Sequence, residues 1–192
     1  SWLEHIKSQL KISPKENLKL IYDSIKFLKT NKLEVIYDAE HFFDGYKHNK
    51  KYALETIKAA KNAKADYIVL CDTNGGCLPE DIAKITAEVR KKFPRIKFGI
   101  HCHNDTGCAV ANTLAAIDAG VTHIQGTING LGERCGNADL CSVLPNLILK
   151  KGYKLRKIKL KDLTKLSHFI YTMANIKFND HQPYTGRNAF SH

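Results

Sequence analysis

RIKFGIHCHND, residues 95–105, is a short apolar run that ends in a cluster of polar side chains. Successive side chains of a strand point to opposite faces, so we expect His101 and His103 to share one face and Cys102 to lie on the other. Two imidazoles on one face can bind the same metal ion, or they can be buried histidines with hydrogen-bond partners. The spacing alone leaves both interpretations open.

The same arrangement of an apolar run followed by polar residues occurs four times along the chain. The four runs, which we predict to be strands, are residues 33–38, 65–72, 95–102 and 122–128. The segments with helical spacing, which we predict to be helices, are residues 13–31, 49–63, 79–93, 107–120, 137–152 and 161–175. Strands that alternate with helices predict a parallel sheet with crossover helices, which is an α/β fold.

Two α/β architectures show this alternation, an open doubly wound sheet and a TIM (β/α)8 barrel. No Gly-x-Gly-x-x-Gly motif follows a predicted strand, whereas polar clusters follow all four: YDAEHF, CDTNGG, HCHNDTG and GTINGLGERCGN. A barrel gathers such clusters at the carboxyl ends of its strands and needs about 250 residues. The sequence therefore predicts about half of a barrel in residues 1–150. A linker or helical region is predicted to begin in residues 151–192, where the alternation stops.

The charge of the chain comes mainly from lysine. Lys and Arg number 30 against 19 Asp and Glu, giving a net charge of +11, but only five of the 30 are arginines. Nucleic-acid interfaces rely on arginine and interleaved aromatic residues, so we expect a solvated basic surface and no nucleic-acid partner. No apolar run reaches the roughly 18 residues of a membrane span, so no membrane partner is expected. Six cysteines without a C-x-x-C pair suit reduced thiols in a cytoplasmic enzyme.

The HCHND segment has the residue types of a divalent metal site. Zinc, manganese and related ions accept imidazole nitrogens together with oxygen ligands. Asn137, after the fourth predicted strand, could add an amide oxygen, and Asp105 could hold the second nitrogen of a histidine. Because four polar clusters are expected at one edge of the sheet, a metal site is favoured over buried, hydrogen-bonded histidines.

Two further clusters contain candidates for proton transfer and for anion binding. Glu40 precedes the aromatic pair of HFF, where a carboxylate suits proton transfer, although a structural role at a helix N-terminus is equally open. Thr73 and Asn74 precede two glycines and could bind a carboxylate, while a plain tight turn is the alternative.

Several of these segments together resemble one enzyme family. HCHNDTGCAVANTLAAIDAG (residues 101–120) and QGTINGLGERCGNADL (residues 125–140) are similar to motifs of the 2-isopropylmalate synthase, homocitrate synthase and citramalate synthase family. Three further segments resemble the citramalate synthase branch most: EVIYDAEHFFDGYKHN (residues 34–49), LCDTNGGCLP (residues 70–79) and HQPYTGRNAFSH (residues 181–192). An aldolase or lyase of the same superfamily would share the two histidines but not GERCGN or HQPY.

The resemblance implies strands 5–8 of the TIM barrel, a divalent metal ion (Mg, Mn or Zn) and acetyl-CoA as co-substrate. It also implies roles for matching positions: His101, His103 and Asn137 as metal-binding residues, Glu40 as a catalytic residue, and Tyr37, Thr73 and Glu133 as substrate-binding residues, with Thr73 at the carboxylate of a 2-oxo acid. The intact enzyme is expected to be a homodimer.

The implied reaction is a Claisen-type condensation of acetyl-CoA with pyruvate to citramalate, in the biosynthesis of isoleucine and leucine. The alternative substrate is 2-oxoisovalerate, which gives 2-isopropylmalate. The family's Arg-Asp pair on the first barrel strand, its later catalytic histidine and its regulatory domain have no counterpart in the 192 residues. We therefore expect a fragment that is inactive alone. A rival hypothesis is a catalytically silent half-barrel that associates with another half.

Overall fold

The computed structural model describes residues 1–191, and His192, the last residue of the HQPYTGRNAFSH motif, lies outside the described residues. The chain divides into two compact units, Ser1–Gln125 and Gly126–His192. The division predicted between residues 150 and 151 remains a prediction.

The first unit alternates strands and helices as the sequence predicts. Its helices are α1 Leu3–His5, α2 Pro14–Thr30, α3 Phe42–His48, α4 Lys50–Asn62, α5 Pro79–Lys92 and α6 Ala109–Asp118, with a π-helical turn at Ile6–Leu10. Its strands are β1 Ile36–Ala39, β2 Tyr67–Asp72, β3 Phe98–Cys102 and β4 His123–Gln125. Each strand lies within or next to its predicted run, and the fourth is the most shortened.

The four strands form one parallel sheet in the order β1-β2-β3-β4. The register places Cys71 beside His101, and His101 beside Gln125, so these three side chains point to the same face of the sheet. The predicted parallel α/β sheet is confirmed.

The sheet is strongly curved. Its edge strands β1 and β4 would lie about 14 Å apart in a flat sheet, since three strand spacings separate them. Yet the Gln125 side-chain amide on β4 donates a hydrogen bond of 2.9 Å to Asp38 on β1. This closing of the two edges toward each other is the curvature of a barrel wall, and the face that carries His101 is its concave side.

Local sequence signals set several helix starts. Ser13 and Glu16 form a reciprocal capping box at the start of α2, and the Asn49 side chain accepts from the Tyr52 backbone N–H at the start of α4. Pro79 occupies the first turn of α5. None of the helices in residues 1–191 is both long and apolar enough to cross a membrane.

Helix α3 is an element that the sequence analysis did not predict. It begins at Phe42, shortly after β1, and its N-cap residue is His41, whose backbone φ of 53° is left-handed and whose side chain makes no cap hydrogen bond. The helix is held by its buried aromatic residues, Phe42 and Phe43, which are both 0% exposed. Burial of two aromatic side chains contributes more than a missing cap costs.

The elements of the second unit, within residues 126–191, are helices and helical turns joined by loops. They are a 3-10 turn at Ile128–Gly130, α7 Leu140–Pro145, a π-helical turn at Asn146–Lys150, a 3-10 turn at Leu160–Asp162 and α8 Leu163–Met173. Two predicted helices, over 137–152 and 161–175, are thereby confirmed with shorter bounds. The predicted fourth strand ends at Gln125, and beyond it Thr127 forms only an isolated bridge with Asp139.

Candidate active site

His101 and His103 lie together on the concave face of the sheet. Their Nε2 atoms are 3.3 Å apart, and their rings are tilted by 54°. Cys102, between them in sequence, is fully buried. Two imidazole nitrogens that each bind one ion at about 2.0–2.1 Å are separated by about 3 Å. The observed separation therefore suits two ligands of one metal ion.

Gln125 holds the other nitrogen of His101. Its Oε1 lies 2.9 Å from His101 Nδ1, and its Nε2 donates to Asp38 Oδ1 at 2.9 Å. For His101 the partner is therefore Gln125; that Asp105 holds the second nitrogen of a histidine remains a prediction. The signal available in the sequence was Gln125 itself, a polar residue inside the predicted strand of residues 122–128.

Glu40 and Thr73 form a second polar pair in the first unit. The Thr73 hydroxyl donates to Glu40 Oε2 at 2.6 Å and accepts from the His41 backbone N–H at 2.7 Å. The aromatic rings that follow Glu40 in sequence turn away into the core of the helix layer, whereas Glu40 is exposed. The carboxylate is thus positioned by a hydroxyl rather than enclosed by rings.

The loop after β2 contains a tight turn, and the buried Asp72 side chain holds its backbone. Gly75 has a left-handed φ of 61°, and its N–H donates to the Asp72 carbonyl at 3.0 Å. The Asp72 carboxylate is fully buried and accepts from the Cys77 N–H at 3.3 Å, and burial raises the pKa of Asp72. Asn74 donates to Asp44 at 3.0 Å. The sequence left open whether this loop forms a tight turn or binds an anion. The tight turn is present, and it fixes the backbone beside Thr73.

Tyr37 lies apart from this group. Tyr37 is adjacent in β1 to Asp38, whose side chain is hydrogen-bonded to Gln125, so the alternation of β1 directs Tyr37 to the opposite face of the sheet. There burial raises the pKa of the Tyr37 phenol to about 12, and Ser1 and Thr56 oppose that shift. The structure does not bring Tyr37 together with His101 or Glu40.

Glu133 and Asn137 belong to one loop of the second unit. Glu133 is exposed and lies 3.5 Å from Arg134. Asn137 donates from its backbone to the Gly130 carbonyl at 2.9 Å, and its buried Oδ1 has no hydrogen-bond partner within residues 1–191. A Cβ on Gly132 would overlap the Asn137 amide nitrogen, so only glycine leaves that side chain in place.

A buried hydrogen-bond network holds the base of this loop, and sequence reasoning assigned it no role. Gln182, from the HQPY motif, is 4% exposed and donates to Asn129 Oδ1 at 3.2 Å and to Asp139 Oδ2 at 3.0 Å. Its Oε1 accepts from the Tyr171 hydroxyl at 2.8 Å. Ser167 of α8 also donates to Asn129, at 2.5 Å. The HQPY motif therefore ties α8 to both ends of the loop that carries Asn137.

Gln182→Leu should destabilise the second unit by about 2 kcal/mol, because it leaves the buried Tyr171 hydroxyl without its acceptor. Amide hydrogen exchange in α8 should then quicken about 30-fold, as measured by mass spectrometry on peptides from residues 126–191. Gln9→Leu, at an exposed position of the first unit, is the matched control and should leave these peptides unchanged. Equal exchange in wild type and Gln182→Leu would show that the network stabilises nothing.

Four buried cysteines are poor nucleophiles. All six cysteines are free. Burial raises the pKa of Cys77 to about 12 and that of Cys141 to about 11, and it also raises the pKa of Cys71 and Cys102. These four thiols stay protonated near neutral pH, so none of the four is a candidate nucleophile.

The histidine pair does not complete a metal site on its own. Across residues 1–191, no three His, Cys, Asp or Glu side chains are grouped closely enough to hold a metal ion. The nitrogen donors nonetheless suit a divalent ion, since the two histidines have the separation that two ligands of one ion require.

Comparisons with known proteins agree with the expected resemblance. A model of the HMGL-like family matches residues 3–170. The (R)-citramalate synthase of Geobacter sulfurreducens is 54% identical over 100% of this chain and 36% of its own length. The 2-isopropylmalate synthase of Methanocaldococcus jannaschii is 37% identical over 98% of this chain and 35% of its own length. The chain spans about a third of the length of these curated relatives.

A solved structure shares the fold. The HMG-CoA lyase of Bacillus subtilis superposes with a TM-score of 0.77 at 18% identity, over 92% of this chain and 61% of the lyase. This likeness supports the fold alone, and together with the curved parallel sheet it confirms the predicted α/β half-barrel.

Proposed function

Because the chain belongs to the HMGL-like family, we propose that it forms part of the catalytic barrel of an enzyme that condenses acetyl-CoA with a 2-oxo acid. Pyruvate is the proposed acceptor and citramalate the product. The preference for pyruvate rests on the identity of 54% to a citramalate synthase against 37% to a 2-isopropylmalate synthase. Citramalate would serve the biosynthesis of branched-chain amino acids in the cytoplasm.

The observation that carries the proposal is the convergence of His101 and His103. Two nitrogens 3.3 Å apart on the concave face are suited to one divalent ion, and we propose that they hold it. Such an ion, when bound, acts as a Lewis acid toward the ketone of the 2-oxo acid and orients it. That Asn137 joins the ligand set remains a prediction from the sequence.

Glu40 and Thr73 are the proposed groups for proton movement and substrate binding. The Thr73 hydroxyl fixes one Glu40 oxygen at 2.6 Å, which leaves the other oxygen of the exposed carboxylate able to exchange a proton. In turn, Thr73 is fixed by the His41 N–H, so the pair is positioned before a ligand arrives. When a 2-oxo acid binds, the Thr73 hydroxyl could donate to its carboxylate instead of to Glu40.

The proposed reaction balances with one water molecule. A proton leaves the methyl group of acetyl-CoA, and the resulting carbanion forms a carbon–carbon bond with the ketone carbon of pyruvate. The ketone oxygen then gains a proton, and water cleaves the thioester to release CoA. The products are citramalate and free CoA.

The test is release of free CoA by the full-length protein that contains this chain. Thiol release is measured with acetyl-CoA and pyruvate, 2-oxoisovalerate or 2-oxoglutarate, each with Mg²⁺, Mn²⁺ or Zn²⁺ and after removal of metal with a chelator. We expect release with pyruvate and metal, and loss of release after chelation.

Other patterns of CoA release would assign a different substrate or a different activity. Preference for 2-oxoisovalerate would assign the protein to 2-isopropylmalate synthesis, the second candidate. Turnover with 2-oxoglutarate alone would reject pyruvate as substrate, and CoA release without any 2-oxo acid would indicate a thioesterase.

A further inference from the structure

A line of hydrogen bonds crosses the concave face of the first unit from Asp38 through Gln125 to His101. Gln125 Nε2 lies 2.9 Å from Asp38 Oδ1, and Gln125 Oε1 lies 2.9 Å from His101 Nδ1. Asp38 and Gln125 are 87 positions apart in the sequence and belong to the two edge strands. The curvature of the sheet brings them together.

The direction of each hydrogen bond along this line is determined by Asp38. An ionised carboxylate only accepts hydrogen bonds, so the Gln125 group that faces it must be the NH2 group. The Gln125 oxygen therefore faces His101, and because that oxygen only accepts, His101 Nδ1 must carry the hydrogen. In a neutral imidazole with Nδ1–H, the other nitrogen, Nε2, has a free lone pair.

The free lone pair is on the atom that faces His103, 3.3 Å away. A metal ligand must present a lone pair, and the opposite tautomer would direct a hydrogen at the same point. We propose that Gln125 is a positioning residue that keeps His101 in the Nδ1–H tautomer, and that Asp38 sets the orientation of Gln125. This inference rests on the proposed metal-binding role of His101 and His103.

Three variants of the full-length protein separate this role from a general structural one. Gln125→Met keeps the side-chain length but removes the acceptor for His101. The double variant Asp38→Asn with Gln125→Glu exchanges carboxylate and amide: the introduced amide donates to the introduced carboxylate, which still accepts from His101. Gln9→Met makes the same change as the first variant at an exposed position of the same unit.

The first readout needs neither metal nor activity. Histidine-selective 15N NMR of the metal-free protein distinguishes the protonated ring nitrogen from the unprotonated one, and the His101 signals are assigned by their absence in His101→Asn. Wild type, the double variant and Gln9→Met should show His101 as the Nδ1–H tautomer. Gln125→Met should show the Nε2–H tautomer or a mixture.

The second readout is metal affinity by isothermal titration with Mn²⁺ and Zn²⁺. Loss of an outer-shell partner commonly weakens metal binding about 10–100-fold, and we expect that loss for Gln125→Met. The double variant should bind close to the wild-type affinity, as should Gln9→Met.

Each remaining outcome bears on one of the two proposals. A wild-type tautomer in Gln125→Met overturns the inference, whether its metal affinity falls or not, because Gln125 would then act only on packing. An Nε2–H tautomer of His101 in wild type also overturns it. If wild type binds neither ion, the proposed metal site fails, while the NMR result still decides whether Gln125 sets the tautomer.

Discussion

His101→Ala should weaken binding of a divalent metal ion to the full-length protein by more than about 100-fold. Removal of a direct ligand costs more than removal of an outer-shell partner, which costs about 10–100-fold. His101 is half-buried on an open face, so its truncation should leave the fold intact. Metal content after gel filtration and titration with Mn²⁺ or Zn²⁺ measure the effect, and circular dichroism checks the fold.

The matched control is His48→Ala. The His48 side chain is 52% exposed on α3 and lies 3.5 Å from Glu4, so its loss should change neither metal content nor turnover. Full metal occupancy in His101→Ala would reject the proposed site and with it the Lewis-acid role assigned to the ion.

Glu40→Gln should lower kcat for citramalate formation by about 100- to 10,000-fold, the usual contribution of a positioned acid or base. The amide keeps the shape of the side chain and can still accept from the Thr73 hydroxyl, but it cannot exchange a proton. Metal affinity should be unchanged, because Glu40 is hydrogen-bonded to Thr73 and not to the histidine pair. Steady-state CoA release at saturating metal and pyruvate measures the effect.

Glu34→Gln makes the same chemical change at an exposed position just before β1 and should keep wild-type kcat. A kcat for Glu40→Gln equal to that of Glu34→Gln would mean that another group moves the proton. A parallel loss of metal binding in Glu40→Gln would instead assign Glu40 to the metal site.

The features that could be predicted from the sequence are those with a regular spacing of apolar residues. The strand runs are apolar, bounded by turns and separated by helical segments, so the parallel sheet followed from spacing alone. The shared face of His101 and His103 followed from the same alternation, and their 3.3 Å separation agrees with it. The placement of Tyr37 could have been predicted from the same alternation, because Tyr37 and Asp38 are adjacent in β1 and point to opposite faces of the sheet.

Other features depend on the tertiary structure. Phe42 and Phe43 form a helix because the core accepts both rings, although no capping residue precedes them. The hydrogen bond between Asp38 and Gln125 requires the sheet to curve, and neither residue carries a local signal of its partner. The sequence shows that Gln125 is a polar residue in a predicted strand, but it does not show which side chain Gln125 contacts.

The register of the sheet also has a consequence for how the first unit folds. Ile36 pairs with Tyr67, 31 positions later, Ile68 pairs with Phe98, 30 positions later, and Gly99 pairs with His123, 24 positions later. Each pairing therefore closes a loop of similar length, and loop-closure entropy grows only slowly with length. Since every strand docks on the strand just before it, the chain can add one strand–helix unit at a time as it emerges from the ribosome. The concave face that holds His101 would be complete only when β4, the last of these four strands along the chain, delivers Gln125.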